Sequence, residues 1–235
     1  MNFLLWLVAV GGLAALLALR LWVVLRLRRK KLQSVKMLVV AGSGGHTTEI
    51  LRLLGSLSKG YNPRHYVLAD TDKMSATKIN LFEEKRAERD SESWYKIHHI
   101  PRSREVQQSW SSSLFTTLYA VCYSLPLTFR LKPDLNGKDK IKTVEKILKP
   151  WEEKTVIPSV LCNGPGTCVP ICVSALLLGI LGIKKVIIVY VESICRVETL
   201  SLSGKILYHF SDYFFVQWPA LKEKYPKSVY CGRIV

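Results

Sequence analysis

The chain opens on an apolar run and then changes character. Phe3 to Leu19, FLLWLVAVGGLAALLAL, carries no charge, and LWVVL continues beyond Arg20, a stretch long enough to span a bilayer if the arginine snorkels. From Lys36 the pattern alternates. KMLVVA is a short apolar run, and after a glycine-rich turn Ile50, Leu53, Leu54 and Leu57 recur at helical spacing. HYVLAD (65–70), a polar helical segment over 73–88, WYKIHHI (94–100) and a long amphipathic stretch over 110–130 follow. The second half continues with SVLCNGPG, a small-residue helix over 167–181, KVIIVYVES, a helix over 202–210, DYFFVQ and SVYCGRIV. Strands and helices alternating at these lengths predict one Rossmann-like α/β domain with a parallel, helix-covered sheet over 36–235, behind a single transmembrane helix at 1–25.

One segment breaks the rhythm. Residues 136–159, NGKDKIKTVEKILKPWEEKTVIPS, are lysine-rich and bounded by Gly and Pro. A surface insertion accommodates them. A 24-residue excursion at the entry to a buried strand equally fits an insert from a variant transcript or a gene-model artefact.

Charge then sharpens the picture. The net charge of +16 suggests nucleic acid until it is divided: seven basic residues and no acidic one stand in the first 36 positions, leaving +9 for the remainder. The cluster of Arg26, Arg28, Arg29, Lys30 and Lys31 forms a basic flank at 26–35, which by the positive-inside rule sets the following domain in the cytosol. A signal peptide fits less well, because the run lacks a positive leading region and a small-x-small cleavage site. The six cysteines (Cys122, Cys162, Cys168, Cys172, Cys195, Cys231) form no CxxC pair and have apolar neighbours, so buried reduced thiols are expected, with no metal site. No Asn-x-Ser/Thr sequon is present, in keeping with a cytosolic domain.

The candidate chemistry lies in two glycine loops. In a parallel sheet, ligands bind beyond the carboxyl ends of the strands. GSGGHT, after the first strand, has Gly42, Gly44 and Gly45 for a tight turn and close backbone approach, with Ser43, Thr47 and Thr48 as hydroxyl donors at a helix N-terminus. A phosphate or diphosphate is the expected guest, although a plain strand-to-helix turn also satisfies three glycines. The P-loop pattern fails because no lysine follows. The dinucleotide fingerprint matches Gly42 and Gly44 but has Thr47 in its third glycine position, while Asp70 stands where a ribose-binding acid would, so a membrane-anchored NAD(P)-dependent oxidoreductase is the alternative. The second loop, Asn163, Gly164, Gly166 and Thr167 of NGPGT, favours a diphosphate carrying a sugar. His46 is a candidate to position the diphosphate or act as base. Glu192, at a third strand end, is a candidate to bind a sugar hydroxyl or orient His46, or else a surface carboxylate paired with a lysine. His98 and His99 adjoin on a strand, face opposite ways and receive no role.

These residues carry a family resemblance. The anchor, VVAGSGGHTTEILRLL, HYVLADTDKMSA, IPRSREVQQSW, NGPGTCVPICVSALLLGI, VYVESICRVETLS, QWPALKEKYPKSVY and the terminal GRIV together resemble the membrane-anchored subunit of the eukaryotic two-subunit transferase that adds the second GlcNAc to dolichyl-diphosphate-GlcNAc. More distantly, they resemble the N-terminal half of the bacterial lipid II-forming glycosyltransferase. Residues 136–159 depart from the family pattern. The resemblance implies the N-terminal, acceptor-binding half of a GT-B glycosyltransferase at the cytosolic face of the endoplasmic reticulum membrane, with no cofactor. It implies a small cytosolic partner that supplies the UDP-GlcNAc site and docks in part on the C-terminal segment, where Tyr230, Ile234 and Val235 are the candidate contacts. It further implies an inverting transfer active only with that partner; a non-catalytic membrane recruiter is the remaining alternative.

Overall fold

Strands that are apolar on both faces can be buried only between two layers of helix, and the chain uses its first strand in this way. The computed structural model describes residues 11, 15–19, 22, 36–57, 61–89, 93–105, 107–131, 160–164, 166–183, 186–230 and 232–233. In β1 (Met37–Ala41) every residue is buried. Met37, Val39 and Ala41 join one core with Ile50, Leu53 and Leu54 of α1 (Gly45–Gly55) and Ile79 of α2 (Lys73–Ala87). Leu38 and Val40 face the opposite core, with Cys168, Ile171 and Ala175 of α4 (Cys168–Ile180). The two-residue period of a strand thus feeds two cores at once.

The remaining elements are β2 (Arg64–Ala69), β3 (Tyr95–Ile100), α3 (Trp110–Leu131), β4 (Val160–Asn163), β5 (Ile188–Val191), α5 (Leu202–Phe210), β6 (Tyr213–Val216), α6 (Pro219–Lys224) and β7 (Val229–Tyr230). The seven strands among the described residues form one sheet in the order β3-β2-β1-β4-β5-β6-β7, and every pairing is parallel. The expected Rossmann-like α/β domain is therefore observed. Helix α6 was not anticipated; its signal was Pro219 at the first helical position, where a missing N–H costs nothing.

Between β2 and α2 the core closes over an ion pair. The Arg64 guanidinium donates to Glu83 Oε1 at 2.8 Å and Oε2 at 2.7 Å, and also to the Tyr61 carbonyl at 2.6 Å, with both charged side chains almost fully buried. Helix α3 lies on α4, where Ser174 Oγ donates to the Val121 carbonyl at 3.3 Å. Its outer face leaves Leu114, Phe115, Leu118, Tyr119 and Tyr123 exposed.

Among the described residues no helix is long and apolar enough to cross a membrane. Within the expected anchor at 1–25 only 11, 15–19 and 22 are described, and they are helical and exposed; the flank at 26–35 and the insertion at 136–159 lie outside the described residues. The cysteine expectation is corrected in part. Cys162, Cys168 and Cys172 are buried free thiols, whereas Cys122 and Cys195 are exposed, Cys122 on the outward side of α3 and Cys195 in the loop after β5.

Candidate functional site

The chain leaves β1 toward β2 and β3 on one side, then returns through α3 to lay β4 on β1's other edge. The β1–β4 boundary is thus the switch point, where the following loops part and open a crevice. Both glycine loops stand there. The Gly42 N–H donates to the Asn163 carbonyl at 3.2 Å, so the first residue of one loop is tied to the strand end that opens the other.

His46 is held between them. A Cβ on Gly42 would stand 3.0 Å from His46 Cβ, and a Cβ on Gly164 would stand 2.9 Å from His46 Cγ. Gly164 also has a φ of +105°, a conformation L side chains rarely adopt. At Gly164 the imidazole occupies the space a side chain would need, and at Gly42 the His46 β-carbon and the Asn163 carbonyl crowd it. The loop apex differs: Ser43, Gly44 and Gly45 are exposed, and added side chains at Gly44 and Gly45 would meet nothing within 4 Å. Gly44 is the N-cap of α1 with no side-chain cap, and no acidic residue stands in the helix's first turn. The first turn therefore presents backbone N–H groups and a positive dipole end to an open mouth.

The remaining expected residues divide. Thr47 is fully buried, its hydroxyl donating to the Gly42 carbonyl at 2.5 Å and sharing a hydrogen bond with Ser75 Oγ at 2.6 Å, so its side chain braces α1 against α2 and only its backbone is available to the loop. Gly166 donates its N–H to Ser203 Oγ at 3.1 Å, fixing the second loop to α5, and Thr167 is the N-cap of α4 without a side-chain cap bond. Tyr230 is exposed on β7, the edge strand of the sheet; Ile234 and Val235 lie outside the described residues. His98 pairs with a neighbouring strand rather than with His99, its Nε2 lying 3.1 Å from His65 Nδ1.

Glu192 is buried, and its two oxygens are occupied. Oε1 accepts from the Ser193 N–H at 3.1 Å; Oε2 accepts from the Ser201 N–H at 3.0 Å and the Ser201 hydroxyl at 3.1 Å. Burial, its largest influence, raises the carboxyl above the usual range, while the bonds from Ser201 and Ser193 pull it back. A Cβ on Gly204 would come within 2.1 Å of Oε2, so the start of α5 is shaped around this carboxylate. The carboxylate facing His46 belongs instead to Glu49, whose Oε1 is 4.0 Å from His46 Nδ1. Sequence reasoning passed over Glu49 and also Lys78, whose Nζ reaches from α2 to within 3.3 Å of Thr48 Oγ1 and 3.5 Å of the Gly44 carbonyl. The available signal was periodicity: Glu49 follows His46 by three positions on one helix, which sets both on the same face.

Strand order, parallel pairing and two glycine loops gathered around one histidine define a doubly wound, Rossmann-like α/β domain with a candidate site at the switch point. The chain belongs to the family described as Oligosaccharide biosynthesis protein Alg14 like, whose profile matches residues 37–234. It is 66% identical over 231 residues to the UDP-N-acetylglucosamine transferase subunit ALG14 of Homo sapiens, covering 97% of this chain and 96% of the relative. The subunit of the same name from Schizosaccharomyces pombe is 41% identical over 205 residues, covering 87% and 85%. The Yarrowia lipolytica subunit is 37% identical over 237 residues, covering 97% and 98%. No solved structure matches the chain.

Proposed function

We propose that the chain is the membrane-held, acceptor-binding subunit of an inverting UDP-GlcNAc transferase that adds a β-1,4-linked GlcNAc to GlcNAc-diphosphodolichol. The observation that carries this reading is the meeting of both glycine loops around His46 at the switch point, in a chain whose relatives are named as subunits of a UDP-N-acetylglucosamine transferase. A GT-B transferase works with two facing domains. One Rossmann-like domain spans the described region here, so a small cytosolic partner supplies the UDP-GlcNAc site and docks on the β7 edge and the segment holding Tyr230, Ile234 and Val235.

The acceptor diphosphate lies across Ser43, Gly44, Gly45 and the N–H groups at the start of α1, with Gly164, Gly166 and Thr167 on its other side. Lys78 faces the same mouth and adds a cation, which a dianionic group attracts strongly in a partly dehydrated crevice. The GlcNAc 4-hydroxyl then meets His46, and O4 bonds to the donor's anomeric carbon as the bond from that carbon to UDP breaks on the opposite face. Glu192 supports the rim by fixing Ser193 and Ser201. The anchor at 1–25, the basic flank at 26–35 and the exposed apolar face of α3 hold the domain against the cytosolic leaflet of the endoplasmic reticulum, where the lipid acceptor is confined.

The test uses His46→Ala and Gly44→Val in the full-length chain, assembled with its partner. Both variants are expected to co-purify with the partner at wild-type yield and to lose transfer by about 100-fold or more. Normal transfer by both would rule out the site and leave a pure recruiter. Reduction of a nicotinamide cofactor by the chain alone, abolished by replacing Asp70, would favour the oxidoreductase alternative.

A further inference from the structure

One carboxylate at the switch point makes more connections than the diphosphate reading needs. Glu49 stands in the second turn of α1 and is only 7% exposed. Its Oε2 accepts from Asn163 Nδ2 at 3.0 Å, and its Oε1 accepts from Ser193 Oγ at 2.8 Å. These donors stand at the ends of β4 and β5, 114 and 144 positions further along the chain. The same Oε1 lies 4.0 Å from His46 Nδ1, a buried nitrogen with no hydrogen-bond partner among the described residues.

Burying a carboxylate is unfavourable unless every lone pair direction is used, and a neutral glutamine could have joined Asn163 to Ser193 without that penalty. What glutamine cannot do is accept from all sides. A carboxylate only accepts, so the group facing it must carry a proton, and the unpartnered group facing Glu49 is His46 Nδ1. A neutral imidazole with its proton on Nδ1 has its lone pair on Nε2. Gly42 and Gly164 close against the base of the ring and limit the ways it can turn.

We propose that Glu49 is the positioning residue of this site: it holds His46 in the Nδ1–H tautomer and so presents Nε2 as a proton acceptor. This rests on the reading of His46 as the group that meets the acceptor. In the transfer step the 4-hydroxyl proton passes to Nε2 as the O4–C1 bond forms and the bond from C1 to UDP breaks. The imidazolium that results keeps Glu49 opposite its Nδ1–H. At 4.0 Å the pair is wider than a hydrogen bond, and catalysis requires the gap to shorten to one as the acceptor binds.

Glu49 is also a clip between α1, β4 and β5, so the test must separate positioning from bracing. Glu49→Gln keeps the volume of the side chain. Its amide oxygen can still accept from Asn163, and the Ser193 hydroxyl can turn to accept from the new N–H₂, so the clip survives. His46 Nδ1, however, must now accept, and the proton moves to Nε2. The experiment measures initial transfer rates from UDP-GlcNAc to phytanyl-diphosphate-GlcNAc for the full-length chain with its partner, in wild type, Glu49→Gln, His46→Ala and the double variant. Expected is a kcat loss of about 100-fold or more for Glu49→Gln, with acceptor KM unchanged within about threefold and no further loss when it is added to His46→Ala. A suppressed His46→Ala beside an unimpaired Glu49→Gln overturns the assignment of Glu49 alone. So does a Glu49→Gln loss repeated in full in the His46→Ala background, which marks a brace. A wild-type rate for His46→Ala removes the site reading and this inference together. If Glu49→Gln does not assemble, the wild-type complex carrying ¹⁵N-labelled histidine gives a second readout. A protonated Nδ1 on His46, assigned by its loss in His46→Gln, is expected, and an Nε2–H tautomer would overturn the proposal.

Discussion

Replacing Gly164 with alanine probes the wedge that holds His46. At a φ of +105° the backbone is in a region an alanine rarely adopts, which costs about 1–3 kcal/mol. The new methyl would stand 2.9 Å from His46 Cγ and 3.0 Å from its Cβ, where carbon atoms prefer about 3.5–4.0 Å. The ring or the loop must yield by about 0.5–1 Å, and overpacking of this kind adds about 1–3 kcal/mol. The total of roughly 2–6 kcal/mol, at about 2–4 °C per kcal/mol for a domain of this size, lowers the Tm by about 4–24 °C. Displacing a reacting group by about 1 Å also costs about 100-fold in rate, so the fraction that stays folded transfers poorly. The assay pairs thermal unfolding of the full-length chain and its partner in detergent with transfer measured well below the Tm. Gly182→Ala is the control: φ there is +69° at the end of α4, away from the strand ends that carry the site, so it should cost about 1 kcal/mol and leave transfer per folded molecule unchanged. Wild-type transfer and Tm for Gly164→Ala would refute the packing of His46 against the second loop.

Other expectations follow from the same geometry. Lys78→Gln should raise acceptor KM by about tenfold, the loss of one charge-assisted phosphate contact, leaving kcat, donor KM and Tm unchanged; steady-state kinetics in both substrates checks this. Glu83→Gln leaves the Arg64 guanidinium buried without its counter-charge, and should cost about 3–5 kcal/mol, read as a Tm lower by about 6–20 °C. Burial first, then His98, Lys36 and Lys96, push His65 down to about 4 from its usual 6.5. The unfolded chain therefore takes up a proton near 6.5 that the native state refuses until about 4, so stability present above 6.5 is lost as pH falls through that window. Tm measured against pH should fall there, and His65→Gln should flatten the slope.

What the sequence revealed follows from what local pattern can encode. The central strands β1, β4 and β5 are short, mostly apolar runs because each is buried on both faces, and the alternation of strands with helices spelled out the fold from β1 to β6. The loops of Gly42 to Thr47 and Asn163 to Thr167 were legible as loops, since each follows a strand and opens a helix. Their convergence on one imidazole depends on β4 pairing with β1, a fact of strand order that no local stretch contains. Glu192 and Glu49 illustrate the limit. One stands conspicuously at a strand end and is absorbed by Ser193 and Ser201; the other sits inconspicuously in a helix and reaches partners 114 and 144 positions away. Thr47 looked like a ligand donor until the buried hydroxyl of Ser75 appeared beside it. Lys78 lies on a helix with no clear apolar stripe, so nothing in its surroundings marked the side that turns toward α1.

The central claim is that this chain contributes the acceptor half of a split transferase. The most direct measurement is GlcNAc transfer from labelled UDP-GlcNAc to a phytanyl- or dolichyl-diphosphate-GlcNAc acceptor, using membranes that carry this chain alone, the cytosolic partner alone, or both, with a parallel set lacking 136–159. Transfer only where both subunits are present, and its loss with His46→Ala, is the expected result. Transfer by the partner alone at the rate of the pair, or no transfer from the pair with or without 136–159, would contradict it.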